Sequence, residues 1–326
     1  MLDVIQRSPK IYLDTRDLIN IARVRKGNKP QPCGSEEDYL CIDECIKAYC
    51  GLIFNPYAAL EWVEGNATKE SASGIAAVVD SAQVKYMIDA DYLVYTQEVL
   101  AQCHNQNPYI DVPDLPPVLQ NISDKSTFRS ALGILVRDVP DYLEKDRLEQ
   151  IQRIGKFPIT VPTFSAGDWT EKTFNWKQSN KGIYQERIDG FRDSLLRDIE
   201  LKEEYFGDRE RYRTDWLKRY LKIDRILMSL NQGIDVDVVL KDLDTENCCA
   251  LKLCWAVREK RMESQKPPKD NDADDYMFLS IIHYSDLILM ERELRDYILW
   301  ADNSLESKVF SNPSDFLKAL KEGFIW

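Results

Sequence analysis

Histidine and glycine are both scarce in this chain, and their scarcity narrows the chemistry that it can perform. The 326 residues include only two histidines, His104 and His283, so a catalytic triad or a multi-histidine metal site is poorly supplied. The 13 glycines are scattered along the chain and form no phosphate-binding loop, which disfavours the nucleotide-binding folds that use one. Carboxylates must therefore carry the chemistry of any catalytic site.

Long apolar runs and an excess of basic residues are also missing. No run approaches the ~20 apolar residues that span a bilayer, and the opening sequence MLDVIQRSPK lacks the basic-then-apolar layout of a signal peptide. We therefore expect a cytoplasmic protein with no membrane partner. Lysine and arginine total 43 against 55 aspartates and glutamates, a net charge of −12, so a surface that binds nucleic acid must be local.

The eight cysteines do not form the pattern of a disulfide framework or a zinc site. Cys41, Cys45 and Cys50 lie near helical spacing, but no histidine or second cysteine pair completes a zinc motif. We therefore interpret most of the cysteines as small buried thiols. Since 44% of the residues are hydrophobic and 10% are aromatic, the chain can bury a substantial core and should fold as a globular protein.

Short strands alternate with helices near both ends of the chain. In the first stretch, hydrophobic periodicity predicts strands at 11–13 and 52–54 and helices at 15–24, 36–49 and around Glu61. In the last stretch it predicts helices at 276–282, 293–300 and 313–321 and strands at 287–290 and 308–310. This alternation indicates an α/β fold with a parallel sheet flanked by helices.

The middle of the chain has a different pattern, dominated by helices. Helical periodicity covers 76–100, 125–154, 183–205 and 211–230, and strand patterns are scarce. Because each end supplies only two strands, neither closes a core alone, and we expect the two ends to meet in one sheet. The predicted organisation is a sheet built from residues 1–65 and 271–326, interrupted by a large, mainly α-helical insertion at 66–270.

Acidic residues recur next to the predicted strands in a definite order. The segments are IYLDTRDLINIAR with Asp14, LIFNPYAALEWVEG with Glu61 (or, in a second register, Glu64), and NDADDYMFLSIIHYSDLILMER with Asp275 and Glu291. Over residues 8–65 and 270–326, this order resembles the motifs of the PIN-like ribonucleases. The resemblance implies a PIN-like sheet and a metal-dependent ribonuclease. Its catalytic and metal-binding residues would be Asp14, Glu61, Asp275 and Glu291, with Asp272 as an additional candidate ligand.

The chain departs from the family pattern in three respects. Glu291 stands where the family usually has Asp, Met290 stands where it usually has Thr, and the long segment 66–270 intervenes where the family is compact. Loss of the Thr hydroxyl removes a hydrogen bond of the kind that orients a metal-binding carboxylate. A catalytically weak or inactive relative is therefore an alternative to an active enzyme.

The placement of the acids also has a physical rationale that does not depend on the family. Asp14 and Glu291 each follow a predicted strand, and in open α/β sheets the carboxyl ends of the strands meet at a crevice. With Glu61 and Asp275, they could form the all-oxygen cluster that Mg²⁺ or Mn²⁺ prefers, and such metals promote phosphodiester hydrolysis. The structural alternative is that Asp14 and Asp275 cap helices and that Glu61 belongs to a solvated helix face.

Two basic groups are candidates for binding a substrate. The segment 209–225, RERYRTDWLKRYLKIDR, has seven basic and three acidic residues interleaved with aromatic ones, a composition that can grip phosphates and stack unpaired bases. The other group follows the first helix. The candidate contacts are Arg23, Arg25, Lys26, Arg211, Arg213, Trp216 and Arg219. In the alternative interpretation, segment 209–225 is an amphipathic helix with Trp216 in the core, and both basic groups are ordinary solvated surface.

These observations lead to a metal-dependent endoribonuclease as the main hypothesis. RNA as the substrate follows from the family resemblance alone, because acid clusters hydrolyse either kind of phosphodiester. One alternative is a catalytically weak or inactive PIN-like protein that binds a protein partner through its helical insertion. Another is a metal-dependent phosphatase or DNA nuclease that uses the same carboxylates.

Overall fold

A six-stranded sheet lies at the centre of the computed structural model, in the strand order β4-β3-β2-β1-β5-β6. The structure describes residues 8–31, 34–55, 58–63, 68–123, 165–179, 181–269 and 272–323. The strands are β1 (Lys10–Leu13), β2 (Gly51–Phe54), β3 (Val84–Ile88), β4 (Leu119–Asn121), β5 (Leu287–Leu289) and β6 (Val309–Phe310). Neighbouring strands are parallel except β3 and β4, which are antiparallel.

The central strands are mostly apolar and buried, apart from Lys10 at the start of β1, as expected for a parallel sheet covered on both faces. Ile11, Tyr12 and Leu13 of β1 are all buried, and so are all three residues of β5. In the register of the sheet, Ile11 lies between Leu52 of β2 and Leu287 of β5. Strands from the two ends of the chain are therefore direct neighbours.

Helices of the first half connect and cover these strands. They are α1 (Thr15–Arg25), α2 (Glu36–Ala48), α3 (Ala58–Val63), α4 (Lys69–Asp80) and α5 (Asp91–Gln106). Side chains that precede a helix accept hydrogen bonds from its first amides: Asp14 for α1, Ser35 for α2 and Thr68 for α4. Such caps satisfy amides that have no partner within the helix, which fixes where each helix begins.

Helices also make up most of the described residues between β4 and β5. They are α6 (Ala166–Ser179), α7 (Lys181–Glu200), α8 (Lys202–Gly207), α9 (Arg209–Trp216), a π-helical turn (Leu217–Leu221), α10 (Ile223–Leu230), α11 (Val236–Lys241), a 3₁₀ turn (Thr245–Asn247), α12 (Cys249–Ser264), α13 (Asp272–Phe278) and a 3₁₀ segment (Leu279–Tyr284). The last elements are α14 (Arg292–Ala301), a 3₁₀ turn (Asn303–Leu305) and α15 (Pro313–Gly323). The prediction of an α/β fold with a sheet flanked by helices is confirmed. The sheet is mostly parallel and not wholly so as predicted, because β4 pairs antiparallel with β3.

One predicted helix is wrong, and the error changes the strand count. Where a continuous helix was predicted at 76–100, α4 ends at Asp80, β3 follows, and α5 begins at Asp91. Strand β3 is stabilised by long-range pairing with β2, in which Gly51 lies opposite Val84. A Cβ atom at Gly51 would lie 2.3 Å from the ring of Tyr86, so a larger residue at this position would need the ring to move.

Residues 1–65 supply two described strands, β1 and β2, as predicted, and β3 and β4 follow after residue 65. Both β3 and β4 belong to the sheet, so the predicted boundary at residue 65 places two sheet strands in the insertion. The predicted helix 125–154 lies outside the described residues. No helix in the described ranges is long and apolar enough to cross a membrane, and every cysteine there is a free thiol.

Candidate active site

A cleft opens where the connections of the sheet reverse direction. From β1 the chain continues to β2 on one side, and from β5 it continues to β6 on the other, so the carboxyl ends of β1 and β5 flank the crevice in which α/β folds bind ligands. The cleft has a volume of about 320 Å³. Its lining residues are Asp14, Thr15, Arg16, Ile19, Asn20, Arg23, Gln31, Glu61, Asp275 and Glu291.

All four acids of the predicted site line this one cleft, although 277 positions separate the first from the last. Asp14 follows β1, Glu61 lies on α3, Asp275 lies on α13, and Glu291 precedes α14. The structure begins α13 at Asp272, so Asp275 lies in the first turn and does not open the helix as predicted.

Asp14 joins the ends of the two central strands. Its amide donates to the carbonyl of Leu289 (2.9 Å), and its carboxylate accepts from the amides of Thr15 (2.8 Å) and Glu291 (3.2 Å). Asp14 is therefore the cap of α1, as in the structural alternative, and it also lines the cleft. These contacts fix its carboxylate at the junction of β1 and β5.

The charge of Asp14 is disfavoured in this position. Burial, and then the neighbouring charge of Asp17, raise the pKa of the Asp14 carboxyl to about 6, with a smaller contribution from Glu291. The Arg16 guanidinium and the Thr15 amide oppose this rise in pKa without cancelling it. Burial and the nearby carboxylates of Asp17 and Glu291 thus disfavour the charged form of Asp14.

Packing against β2 positions Glu61. The next residue on α3, Trp62, is buried, and its ring contacts Phe54 of β2 with a centroid distance of 5.4 Å. The hydroxyl of Thr15 donates a hydrogen bond to the Glu61 carboxylate. Since Thr15 follows Asp14 directly, this contact ties α3 to the start of α1.

Aromatic packing positions Asp275. Its neighbours on α13, Tyr276 and Phe278, are buried, and the Phe278 ring contacts Tyr12 of β1 with a centroid distance of 5.7 Å. Tyr12 lies beneath the acids: burial, followed by the charges of Asp14, Glu61 and Asp275, raises the pKa of its hydroxyl. Three of the four acids thus act on the same buried hydroxyl.

A buried polar network supports the α1 side of the cleft. Asp17 is fully buried, pairs with Arg16 (2.9 Å) and accepts from the Tyr39 hydroxyl (2.7 Å). Arg16 also donates to the carbonyl of Met290 (3.0 Å), so its guanidinium links α1 to the end of β5. Pairing and hydrogen bonding of this kind offset the cost of burying the Asp17 carboxylate.

Sequence reasoning missed five residues that line the cleft: Thr15, Arg16, Ile19, Asn20 and Gln31. A signal for most of them was present, because residues 16, 19, 20 and 23 follow helical spacing after Asp14 and therefore share one face of α1. Gln31 has no such signal, since a loop returns it to α1. The alternative acid Glu64 lies outside the described residues.

Asp272 is directed away from the cleft. Its carboxylate pairs with Arg261 (2.7 Å) and accepts from the amide of Lys269 (2.7 Å), and it is not among the described lining residues. The structure therefore gives Asp272 a role in holding α13 against α12. It does not support Asp272 as an additional metal ligand.

Of the three basic residues predicted near the first helix, the structure places only Arg23 on the cleft. Arg25 pairs with Asp43 and donates to the Ala77 carbonyl (3.1 Å) and the Ser81 hydroxyl (2.7 Å). Lys26 pairs with an exposed glutamate on α4, Glu70, at 3.0 Å. Arg25 thus joins α1, α2 and α4.

The basic and aromatic segment 209–225 packs elsewhere in the molecule. Arg213 pairs with Glu259 (2.7 Å), and the Trp216 ring lies among those of Tyr95, Tyr220 and Trp255 at centroid distances of 6.2, 4.7 and 6.0 Å. Arg211 and Arg219 are exposed. None of the four predicted contacts in this segment is among the described residues that line the cleft, and Trp216 packs as in the amphipathic-helix interpretation.

Within the described ranges, no three His, Cys, Asp or Glu side chains are arranged as a group that could hold a metal ion. The acids line the cleft without closing on a common point. Comparison of the chain with family models, with curated proteins and with solved structures finds no match.

Proposed function

We propose that the protein is a PIN-like, metal-dependent endoribonuclease that hydrolyses RNA phosphodiesters in the cleft at the ends of β1 and β5. The observation that carries the proposal is that Asp14, Glu61, Asp275 and Glu291, from four separate elements, all line that cleft. Repelling carboxylates are costly to collect without a cation. A role in binding a cation accounts for their collection, whereas a role in capping accounts for Asp14 alone.

The donor set suits Mg²⁺ or Mn²⁺, because carboxylate oxygens are the ligands that these hard ions prefer. Asp14, Glu61, Asp275 and Glu291 would hold the metal. Among the described residues the side chains do not form a preassembled group. Burial and the charge of Asp17 raise the pKa of Asp14 to about 6, and a bound cation would favour the charged form of this carboxyl. When bound, the metal supplies hydroxide from water near neutral pH and stabilises the oxygens of an in-line displacement.

The chain itself orients the acids. Two backbone amides hold the Asp14 carboxylate, the Thr15 hydroxyl holds that of Glu61, and Arg16 fixes the carbonyl of Met290 just before Glu291. Contacts of this outer kind orient metal ligands and tune their basicity. RNA as the substrate continues to rest on the resemblance of the motifs to the PIN-like family.

Cleavage of a labelled single-stranded RNA tests the proposal. We expect internal cuts with Mg²⁺ or Mn²⁺, none with EDTA, and loss of cleavage in Asp14→Asn. Asp296→Asn is the matched control, because Asp296 lies on α14 with a side chain that is 57% exposed. Equal cleavage by wild type and Asp14→Asn would assign the activity to another site or to a contaminant.

A second candidate is a PIN-like interaction protein without catalytic activity. It is favoured by the absence of a metal-holding group among the described residues and by Glu291, which is exposed and meets Asp14 through its backbone amide. Calorimetric titration with Mn²⁺ separates the two functions. The nuclease should bind the ion and lose affinity in Asp14→Asn, whereas the interaction protein should show no binding that depends on Asp14.

A further inference from the structure

The cleft has a second end that the four acids do not occupy. Arg16, Ile19, Asn20 and Arg23 line the cleft from one face of α1, with Arg16 beside the acids and Arg23 farther along the helix. Arg16 and Arg23 are seven residues apart, about 10 Å along the helix axis. The cleft therefore runs from an acidic end at Asp14 to a basic end at Arg23.

Arg23 differs from the neighbouring cations on α1 and at the end of that helix, because those cations form ion pairs. Arg16, Arg25 and Lys26 pair with Asp17, Asp43 and Glu70, respectively. Within the described part of the chain, the Arg23 side chain has no ion pair, and its one hydrogen bond runs from Nε to the carbonyl of Lys29 (3.0 Å). The two terminal guanidinium nitrogens, which form the fork that grips a phosphate, have no described acceptor.

The loop that anchors Arg23 is fixed at both ends. At its start, the amides of Lys26 and Gly27 donate to the carbonyls of Arg23 and Val24 (3.0 and 2.9 Å), and Gly27 has a φ of 73°, which favours glycine. At its end, the amide of Gln31 donates to the side chain of Asn20 (2.9 Å).

Asn20 is itself held in place. It is fully buried and donates to the hydroxyl of Tyr39 (3.0 Å), which in turn donates to Asp17. The same network that supports Arg16 at the acidic end therefore supports the loop at the basic end. An arginine anchored on such a loop is preorganised for a ligand, which lowers the entropic cost of binding.

We propose that Arg23 binds a phosphate of a single-stranded RNA that flanks the phosphate at the acidic end. The inference rests on the proposed function for the identity of the polymer. About 10 Å corresponds to about three stacked nucleotides at 3.4 Å each. The substrate is then an oligonucleotide that spans both ends of the cleft, because a small phosphomonoester at the acids would not reach Arg23.

Fluorescence anisotropy tests the subsite. The probe is a fluorescein-labelled, single-stranded RNA of 12 nucleotides, and the protein is the full chain carrying Asp14→Asn, with Mg²⁺ present, so that binding is separated from cleavage. Loss of one charged hydrogen bond to phosphate should raise Kd about tenfold in Arg23→Gln. The slope of log affinity against log salt should become shallower by about 0.7.

Arg197→Gln is the matched control, since Arg197 is an exposed arginine of α7 that lies outside the described cleft lining and outside segment 209–225. It should leave Kd within about twofold and keep the salt slope. Arg23→Lys should keep the salt slope and weaken binding only partly, because lysine retains the charge and loses the fork. Thermal denaturation of each variant checks that it is folded.

The outcomes separate the subsite from the proposed function. Equal Kd and salt slope for Arg23→Gln and Arg197→Gln would overturn the subsite, even if the wild type cleaves RNA. A failure of the parent protein to bind the RNA would overturn it as well. A selective loss of binding in Arg23→Gln would support the subsite, even if the wild type cleaves nothing and the nuclease proposal fails.

Discussion

Two regions of this protein contain residues typical of functional sites: the acids of the cleft, and the cations and aromatic rings of segment 209–225. The fold brings the first set together in a cleft and packs most of the second set against the rest of the molecule. At the cleft, acids from four elements line one crevice. In segment 209–225, cations and aromatic rings are adjacent in sequence, yet Trp216 packs among other rings and Arg213 pairs with Glu259. The residues far apart in the chain share a cleft, and the residues close together contribute largely to packing.

Sheet topology explains the difference. The carboxyl ends of parallel strands lie at the same edge of a sheet, whatever the separation of the strands in sequence. Because β1 and β5 are paired parallel strands, Asp14 and Glu291 are neighbours. A helix, in contrast, divides a local cluster among its faces, and its large aromatic residues turn toward the core. A dense local pattern is therefore a weaker sign of a site than an ordered set of residues at strand ends.

The largest expected effect lies in the cleft. Glu61→Gln keeps the size of the side chain and an oxygen for the Thr15 hydroxyl, but it removes one of the four charges. We expect the rate of RNA cleavage to fall about a thousandfold, about 4 kcal/mol in activation free energy. Single-turnover cleavage with saturating Mg²⁺ measures the effect.

The matched control for this change is Glu70→Gln, on the neighbouring helix α4, whose side chain is 85% exposed and pairs with Lys26. Its cleavage rate should equal that of the wild type. A loss of similar size in both variants would break the distinction between the cleft acids and ordinary surface acids.

The second largest effect that we expect is a loss of stability caused by a substitution in segment 209–225. Trp216→Ala removes a half-buried ring from contact with Tyr95, Tyr220 and Trp255, and we expect the free energy of unfolding to fall by about 3 kcal/mol. Urea denaturation measures it. The folded variant should bind RNA as the wild type does; a tenfold weaker affinity in fully folded protein would return Trp216 to the substrate contacts.

Sequence reasoning succeeded where local patterns decide the structure. Strand β1 and helix α1 lie within a residue or two of the predicted bounds, because continuous apolar runs and helical spacing are local signals. Strand β3 was missed because pairing with β2 and β4 stabilises it, and those partners are remote in sequence. The four acids could be grouped from their order, since strand ends converge.

The roles of individual cations could not be predicted in the same way. Arg23 and Arg25 are two residues apart with the same side chain, yet one lines the cleft and the other pairs with Asp43. Which of the two arginines is left to line the cleft depends on the carboxylates that α2 and α4 place next to α1. That information lies in helix packing and not in the spacing of the basic residues.

Arg25→Ala tests the different roles of Arg23 and Arg25, and we expect it to have the third largest effect, a loss of stability. Asp43 is buried, and without Arg25 it keeps only the contact with Lys47 at 2.7 Å, so we expect the free energy of unfolding to fall by about 2 kcal/mol at pH 7. Arg23→Ala should change it by less than about 0.5 kcal/mol. Similar destabilisation by both substitutions would contradict a stabilising role for Arg25 that Arg23 does not share.

The effect of Arg25→Ala should depend on pH. Burial alone would raise the pKa of Asp43, but hydrogen bonds from Arg25 and Lys47 outweigh it and hold that pKa below the ordinary value. A lowered pKa in the folded state stabilises the protein above the unfolded-state pKa of about 3.9, and this stabilisation is lost as pH falls through the folded-state value. The difference between wild type and variant should therefore persist from pH 7 to about pH 4 and shrink as the pH falls further.

The smallest expected effect compares two arginines of segment 209–225. Arg213 pairs with Glu259 and lies over the Trp255 ring at 5.0 Å from its centroid, while Arg211, two residues earlier, is exposed. We expect Arg213→Ala to lower the free energy of unfolding by about 1 kcal/mol, the sum of a partly exposed ion pair and a cation–π contact. Arg211→Ala, the matched control, should change it by less than about 0.5 kcal/mol.

Since neither side chain is among the described residues of the cleft, both variants should bind the 12-nucleotide RNA within about twofold of the wild type, as expected for surface substitutions remote from a site. Weaker binding in both, with a shallower salt slope, would place RNA on this segment and remove the contrast between the two regions.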